Sequence, residues 1–395
     1  MKFLIGGLQN YAWGSTTLLA QLRGEPASAQ PEAEIWYGAH PGAATMCGDG
    51  TSLIDHIETH PVEFLGQSVV DRFGAKLPFL LKLLAAGSPL SIQAHPSIEQ
   101  ARAGFAAEEA AGIERNAPHR SFRDDNHKPE LICALTSFDA LVGFRDPEAT
   151  QDFWNAVGFE DSVGFDALAA RLAQGPKHVV EDLLSSDVLD ATGQDISTLV
   201  SGLVDACRSY DGESWKREAS LIVRLAEKYR HDPGVVIASM LNYVTLKPGE
   251  ALYLGAGHMH AYVEGLAVEL MANSDNVLRG GLTPKYVDVE NLLDVVLPDI
   301  HPAQLVEMQA DGRYLTPATE FELQRLRPID GAEVDGPCIV LCTTGTVDVS
   351  TGAEQVTLAP TEAVWLSDGE CAQVTGNANV AYRAGVGRAT TLTVG

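Results

Sequence analysis

Residues 247–293, KPGEALYLGAGHMHAYVEGLAVELMANSDNVLRGGLTPKYVDVENLL, decide how the rest of the chain is read. The stretch opens on a Pro-Gly turn and an alternating run, Ala251 to Leu254, then sets His258 and His260 two positions apart. Side chains at i and i+2 share one face of a strand, so both imidazoles are expected on the same side. A second strand-like run, Leu266 to Met271, carries Glu269 within it. The polar turn Asn273-Ser274-Asp275-Asn276 then leads to Arg279, two glycines and Lys285. Singly, a histidine beside an apolar strand is more often a satisfied core residue, and an arginine more often a solvated one. Their gathering on one segment reads as a site, provided its remaining members lie elsewhere in the chain.

Working outward, Leu77 to Pro96 (LPFLLKLLAAGSPLSIQAHP) passes from an apolar run through a Gly-Ser-Pro turn into a strand. On that strand Ser91, Gln93 and His95 share one face, which suits a cavity wall as well as solvent. In Asp124 to Leu135 (DDNHKPELICAL), Pro129 holds the preceding residue extended and Glu130 opens an apolar strand. Residues 1–145 otherwise read as short strands and turns, with one helix over Ser97–Gly112 capped by Ser97. Asp146-Pro147-Glu148 starts another helix, and a period of 3.6 continues to about Met240 through Phe165–Leu172, Val179–Leu184, Ile196–Cys207 and Ser214–Lys228. From His301 to Gly395 the pattern is alternating β with frequent glycine turns. The expected fold is mainly β with a helical insertion. Residues 1–145 and 241–300 form one β unit holding the site, 146–240 a helical domain, and 301–395 a small accessory barrel.

Composition narrows the function. A chain of 395 residues is long for one core. It has 45% hydrophobic residues, no apolar run of membrane length and no leader-like start, which together predict a cytoplasmic globular protein. Six scattered cysteines without a CxxC pair read as small buried hydrophobes. Fifty-three acids against 27 bases give a net charge of −26, which argues against nucleic acid or an anionic membrane as partner. Against that background Lys128, Arg279 and Lys285 stand out, and an anionic small molecule would explain them. Gln93, His95, Glu130 and His260 together offer two imidazoles, a carboxylate and an amide oxygen. That set suits one divalent ion, zinc first and iron or manganese next. The amide is unusual in a structural zinc site and points to an open, catalytic position.

The segments YAWGS (Tyr11–Ser15), SIQAHP (Ser91–Pro96), NHKPEL (Asn126–Leu131), HAY (His260–Tyr262) and MANSDNVLRGGLTPKY (Met271–Tyr286) resemble, in order, the type I mannose-6-phosphate isomerases. The resemblance runs from Gln9 to about Leu293. It implies a cupin (jelly-roll) catalytic barrel, an all-α domain and a second, C-terminal cupin-like barrel. It also implies a zinc-dependent aldose–ketose isomerase with one Zn2+ per chain, interconverting mannose 6-phosphate and fructose 6-phosphate through a cis-enediol. Residue by residue, it puts the zinc ligands at Gln93, His95, Glu130 and His260 and a catalytic arginine at Arg279. Lys128, His127, Glu269, Asp275 and Lys285 match positions of substrate contact or proton transfer, and Ser91 and Trp13 match pocket-lining ones. One departure is that Met259, preceded by His258, stands where the family commonly has proline. The pattern His258-x-His260-x3-Glu264 imitates a generic cupin metal signature, so His258 is a rival ligand. A monomer that binds a hexose phosphate is expected. The competing functions are a metal-dependent cupin oxidoreductase, marked by oxygen-dependent turnover, and a sugar-phosphate-binding barrel, marked by binding without conversion.

Overall fold

Two antiparallel sheets lie face to face and share one strand. Helices cover one outer face and a second pair of sheets covers the other. The structure, a computed structural model, describes residues 1–185, 196–298, 300, 303–377 and 380–387. The first sheet runs in the order Gln304–Val306, Ala251–Leu254, Glu130–Ala134, His260–Ala272, Phe79–Ala86, Glu34–His40 and Gly7–Gln9. The second runs Leu241–Leu246, Phe138–Phe144, His260–Ala272, Ile92–Ala94 and Leu278–Gly281.

The shared strand is thirteen residues long, where the sequence pattern suggests a shorter run over Leu266–Met271. Its start pairs His260 with Gln93 and Val142, and its end pairs Val268 with Leu83 and Cys133. A register shift between Tyr262 and Glu264 and a positive φ of 129° at Gly265 turn the strand from one sheet to the other. A Cβ at position 265 would stand 2.6 Å from the Ser137 carbonyl oxygen, so glycine is required there. Among the described residues neither sheet closes on itself, which corrects the expected barrel. Closure would need the edge strands Gly7–Gln9 and Gln304–Val306 to meet, and they end a seven-strand order on opposite sides.

The strand Phe79–Ala86 is buried on both faces, so its sequence reads as a continuous apolar run. Leu81, Leu83 and Ala85 pack outward against Trp365 and Tyr382. Leu84 and Ala86 pack inward against Ile132, Phe138 and Tyr262. Each such large apolar side chain contributes about 1.5–3 kcal/mol on burial. Helices between Pro147 and Ser239 cover the second sheet, with Phe153, Leu203, Ile222 and Val236 packed on Leu141, Ala261 and Val263. The expected caps are present. Ser97 and Gln100 form a capping box on Ile98–Ala110, and the Asp146 carboxylate accepts from Glu148 N and Ala149 N.

Short helices at Leu18–Arg23, Leu53–Thr59, Pro61–Leu65 and Gln67–Phe73 stand where the sequence suggests turns. None is long enough to express a 3.6 period. The C-terminal strands form a four-stranded sheet and part of a seven-stranded one, both open. Strands Lys2–Ile5 and Met46–Cys47 complete the larger of these, with Phe3 opposite Val364 and Leu4 opposite Cys47, so the N-terminus belongs to this layer. His301 and residues 388–395 of the expected tail lie outside the described residues. Among the described residues no helix is long and apolar enough to cross a membrane.

Candidate metal centre and its cavity

Four of the residues singled out from the sequence, Gln93, His95, Glu130 and His260, come together between the two sheets. Glu130 opens its strand in the first sheet, His260 opens the shared strand, and Gln93 sits opposite His260 in the second sheet. His95 follows that last strand. His95 Nε2 lies 3.2 Å from Glu130 Oε1, and His260 Nε2 lies 3.5 Å from Glu130 Oε2. Gln93 Nε2 is 3.3 Å from His260 Nε2, and a half-turn of the amide presents its oxygen instead. His95, Glu130 and His260 are all buried.

Both imidazoles are oriented from behind. His95 Nδ1 donates to the Asn276 carbonyl at 2.8 Å and His260 Nδ1 to the His258 carbonyl at 2.9 Å, leaving each Nε2 lone pair facing the carboxylate. Burial and the Lys128 ammonium push His95 down to about 4, so its ring is neutral. Burial alone would raise the Glu130 carboxyl, but the Lys128 ammonium, 2.8 Å away, holds it well below its usual range. The donor set fits a divalent ion on one observation above all. His95 Nε2 is buried, faces two other donors and has no hydrogen-bond partner among the described residues.

Sequence reasoning missed Lys82, which points from the centre of an apolar strand into the same space. Its ammonium lies 2.8 Å from Glu269 Oε2 and 3.4 Å from Glu34 Oε1, with the Trp36 ring 5.1 Å away. Despite the opposing effect of burial, these carboxylates raise the Lys82 pKa and keep it protonated. Burial pushes Glu269 up, and Glu130 and Glu34 act in the same direction against the pull of Lys82. The available signal was a lone lysine in FLLKLLAA. Asn276 was missed as well. Fully buried, it accepts from Arg123 N and donates to the Asp124 and Asn126 carbonyls, tying the NHKPEL segment to His95.

Beside the donors lies a cavity of ≈ 240 Å³. Lys82, Arg120, Arg123, Lys128, Arg279 and Lys285 line it, against one acid, Asp275. Trp13 also lines it, whereas Glu269 sits behind Lys82. A second cavity of ≈ 470 Å³ shares His40, Arg123, Ser274 and Asp275 with it. Burial and mutual repulsion with Arg123 lower the Arg279 pKa. Burial lowers Lys285, with Arg279 and Arg123 adding to it. The His40 imidazole, 3.3 Å away, holds the Asp275 carboxyl below its usual range.

Ser91 and His127 are not among the residues that line this cavity. His127 Nε2 instead meets Glu320 Oε1 at 2.7 Å, on the opposite side of its segment from Lys128. The rival ligand His258 stands outside the three-residue donor cluster, its Nδ1 3.2 Å from the Gly255 carbonyl. His258→Ala is therefore expected to retain metal and to keep kcat/KM within about threefold, whereas His260→Ala loses both. Metal content of the two purified variants checks this, and loss in the first alone would transfer the ligand role to His258.

Two buried imidazoles and an ionised carboxylate beside a cation-lined cavity define a β-sheet metalloprotein built to meet an anion. Residues 1–147 match the family model for the catalytic domain of type I phosphomannose isomerase. Mannose-6-phosphate isomerase of Escherichia coli (strain K12) is 39% identical over 386 residues, covering 94% of this chain and 95% of its own. Mannose-6-phosphate isomerase 1 of Arabidopsis thaliana is 33% identical, covering 82% and 77%. The crystal structure of the Salmonella typhimurium enzyme, bound to its substrate and to zinc, aligns with TM-score 0.87 at 35% identity, over 98% of this chain and 100% of that one. The chain belongs to the mannose-6-phosphate isomerase family.

Proposed function

We propose that the protein interconverts D-mannose 6-phosphate and D-fructose 6-phosphate, moving a proton between C1 and C2 through a cis-enediol. The observation that carries this reading is a buried His95–Glu130–His260 donor set beside a cavity with six cations and one acid, in a chain of this family. When bound at Gln93, His95, Glu130 and His260, a zinc ion supplies a redox-silent Lewis acid for the sugar oxygens.

The protein's own residues divide the remaining work. Among the described residues no carboxylate pairs with Arg123, Arg279 or Lys285. A phosphate dianion relieves their mutual repulsion, and Arg279 and Lys285 hold it. The Lys82 and Lys128 ammonium groups face the sugar and donate to the oxygens that gain charge as the C–H proton leaves. The Asp275 carboxylate, with His40 behind it, takes that proton from one carbon and returns it to the next. Glu269 holds Lys82 in place, and Trp13 with Trp36 keeps water from the cavity wall. His127 and Ser91 act from outside the cavity, the first through Glu320 and the backbone leading to Lys128, the second through the strand that carries Gln93.

The architecture reads as a cupin in open, two-layered form. The catalytic part is 1–145 with 241–300, the helical domain 146–240, and the C-terminal cupin-like part 301–395. A run of helices from Pro147 to Ser239 with no strand between them among the described residues supports that division, although Lys2–Ile5 pairs into the C-terminal layer.

Turnover of mannose 6-phosphate in a coupled assay, with and without oxygen, tests the function. Oxygen-independent conversion that stops on chelation and returns with zinc is the expected result, and binding without conversion would remove it. Arg279→Ala is expected to raise KM and lower kcat/KM by about 10²-fold, the loss of roughly two charge-assisted hydrogen bonds. Near-normal kinetics in that variant would take Arg279 out of the phosphate clamp.

A further inference from the structure

A second group of mixed donors lies at the seam between the N-terminal strand and the helix Leu53–Thr59, away from the cavity. The Cys47 sulfur, a carboxylate oxygen of Asp49 and an imidazole nitrogen of His56 all lie within 4.8 Å of one another. His56 Nε2 is 3.1 Å from Asp49 Oδ2 and 3.4 Å from Oδ1. Two light-atom ligands on a tetrahedral zinc stand about 3.3–3.5 Å apart, so these donors are already near coordination spacing.

The three positions are fixed independently. Cys47 pairs with Leu4 at the edge of its sheet, and the turn that follows closes through Gly50 N to the Cys47 carbonyl at 2.9 Å. Asp49 Oδ1 accepts from Thr51 N at 3.0 Å. Ser52 caps the helix bearing His56, whose ring stacks on Phe64 at 5.1 Å and 14°. Cys47 is buried, His56 half-buried and Asp49 exposed, so the group is open to solvent on its carboxylate side. Of the six cysteines, Cys47 is the one that joins such a donor group among the described residues.

We propose that Cys47, Asp49 and His56 form a second metal site, which takes a zinc-class divalent cation through thiolate, carboxylate and imidazole and leaves a fourth position for water. Sulfur and nitrogen donors select a borderline-soft ion over calcium or magnesium. Lys2 Nζ, 2.7 Å from Asp49 Oδ2, is the competing cation. A divalent ion either displaces it or shares the carboxylate with it, one oxygen each. Burial pushes the Cys47 thiol up to about 11, so binding expels its proton to solvent as the sulfur ligates. The bound ion would clip the edge strand Met46–Cys47 and the turn after it to the helix Leu53–Thr59, and this is independent of the isomerase reading.

The test loads the full-length chain with Co2+ or Zn2+, removes the excess, and measures metal per chain together with the Co2+ absorption spectrum. About two equivalents are expected in the wild type and about one in Cys47→Ser and in His56→Gln. A thiolate-to-cobalt charge-transfer band should appear in the wild type, persist in Glu130→Gln and vanish in both site variants. The catalytic donor set contains no sulfur, so the band reports on this site alone. Isomerase turnover should stay unchanged in Cys47→Ser and His56→Gln. A single equivalent with no thiolate band in the wild type, or a band that survives in Cys47→Ser, would overturn the proposal. Should Cys47→Ser fail to fold, His56→Gln decides by the same two readouts.

Discussion

Glu130→Gln is expected to release the bound metal and to lower kcat/KM for mannose 6-phosphate by more than about 10³-fold. Loss of a group that merely orients a ligand costs about 10–100-fold in metal affinity or activity, and Glu130 is a direct donor. It is also the one carboxylate in its cluster, and both imidazoles, the Lys128 ammonium and the Tyr262 hydroxyl converge on it. Glutamine keeps the volume and one acceptor oxygen, so packing survives while the negative charge is lost. Zinc content and steady-state kinetics of the purified variant decide the matter. Retained zinc with turnover near the wild-type level would mean that the carboxylate only neutralises Lys128.

Lys82→Met is expected to destabilise the fold by about 3–5 kcal/mol, the usual cost of removing one partner from a buried ion pair. Glu34 and Glu269 would then face each other in a space that holds almost no solvent. The Met side chain fills much of the same volume, so charge rather than a cavity dominates the effect. Turnover should fall as well, because the same ammonium lines the substrate cavity. Denaturant unfolding with an unchanged slope measures the loss. Adding Glu269→Gln should recover part of it, since the second change removes one stranded charge. A loss under about 1 kcal/mol would show that Lys82 is not held as an ion.

Gln93, His95, Glu130 and His260 were legible because each stands at or beside a strand end next to a turn, where period-two alternation assigns a face. Lys82 was not, because a strand buried on both faces loses the alternation that would have set it apart. His127 shows a different limit. Adjacent residues of an extended segment point to opposite sides, so Lys128 in the cavity sends His127 outward to Glu320, 193 positions away. No local pattern carries that pairing. Alternation likewise told strands from helices without telling an open pair of sheets from a closed barrel, because closure depends on which edges meet. The capped helices at Ile98 and Pro147 were readable from Ser97 and Asp146, whereas helices of five to seven residues near Leu53 and Pro61 left no period to detect.

The most direct test is the anomalous scattering of zinc at its absorption edge in crystals of the zinc-loaded protein. An ion about 2.0–2.2 Å from His95 Nε2, a Glu130 oxygen and His260 Nε2, with the Gln93 amide oxygen turned toward it, is the expected result. No zinc signal within reach of Glu130, or one ligated by His258 in place of His260, would contradict it.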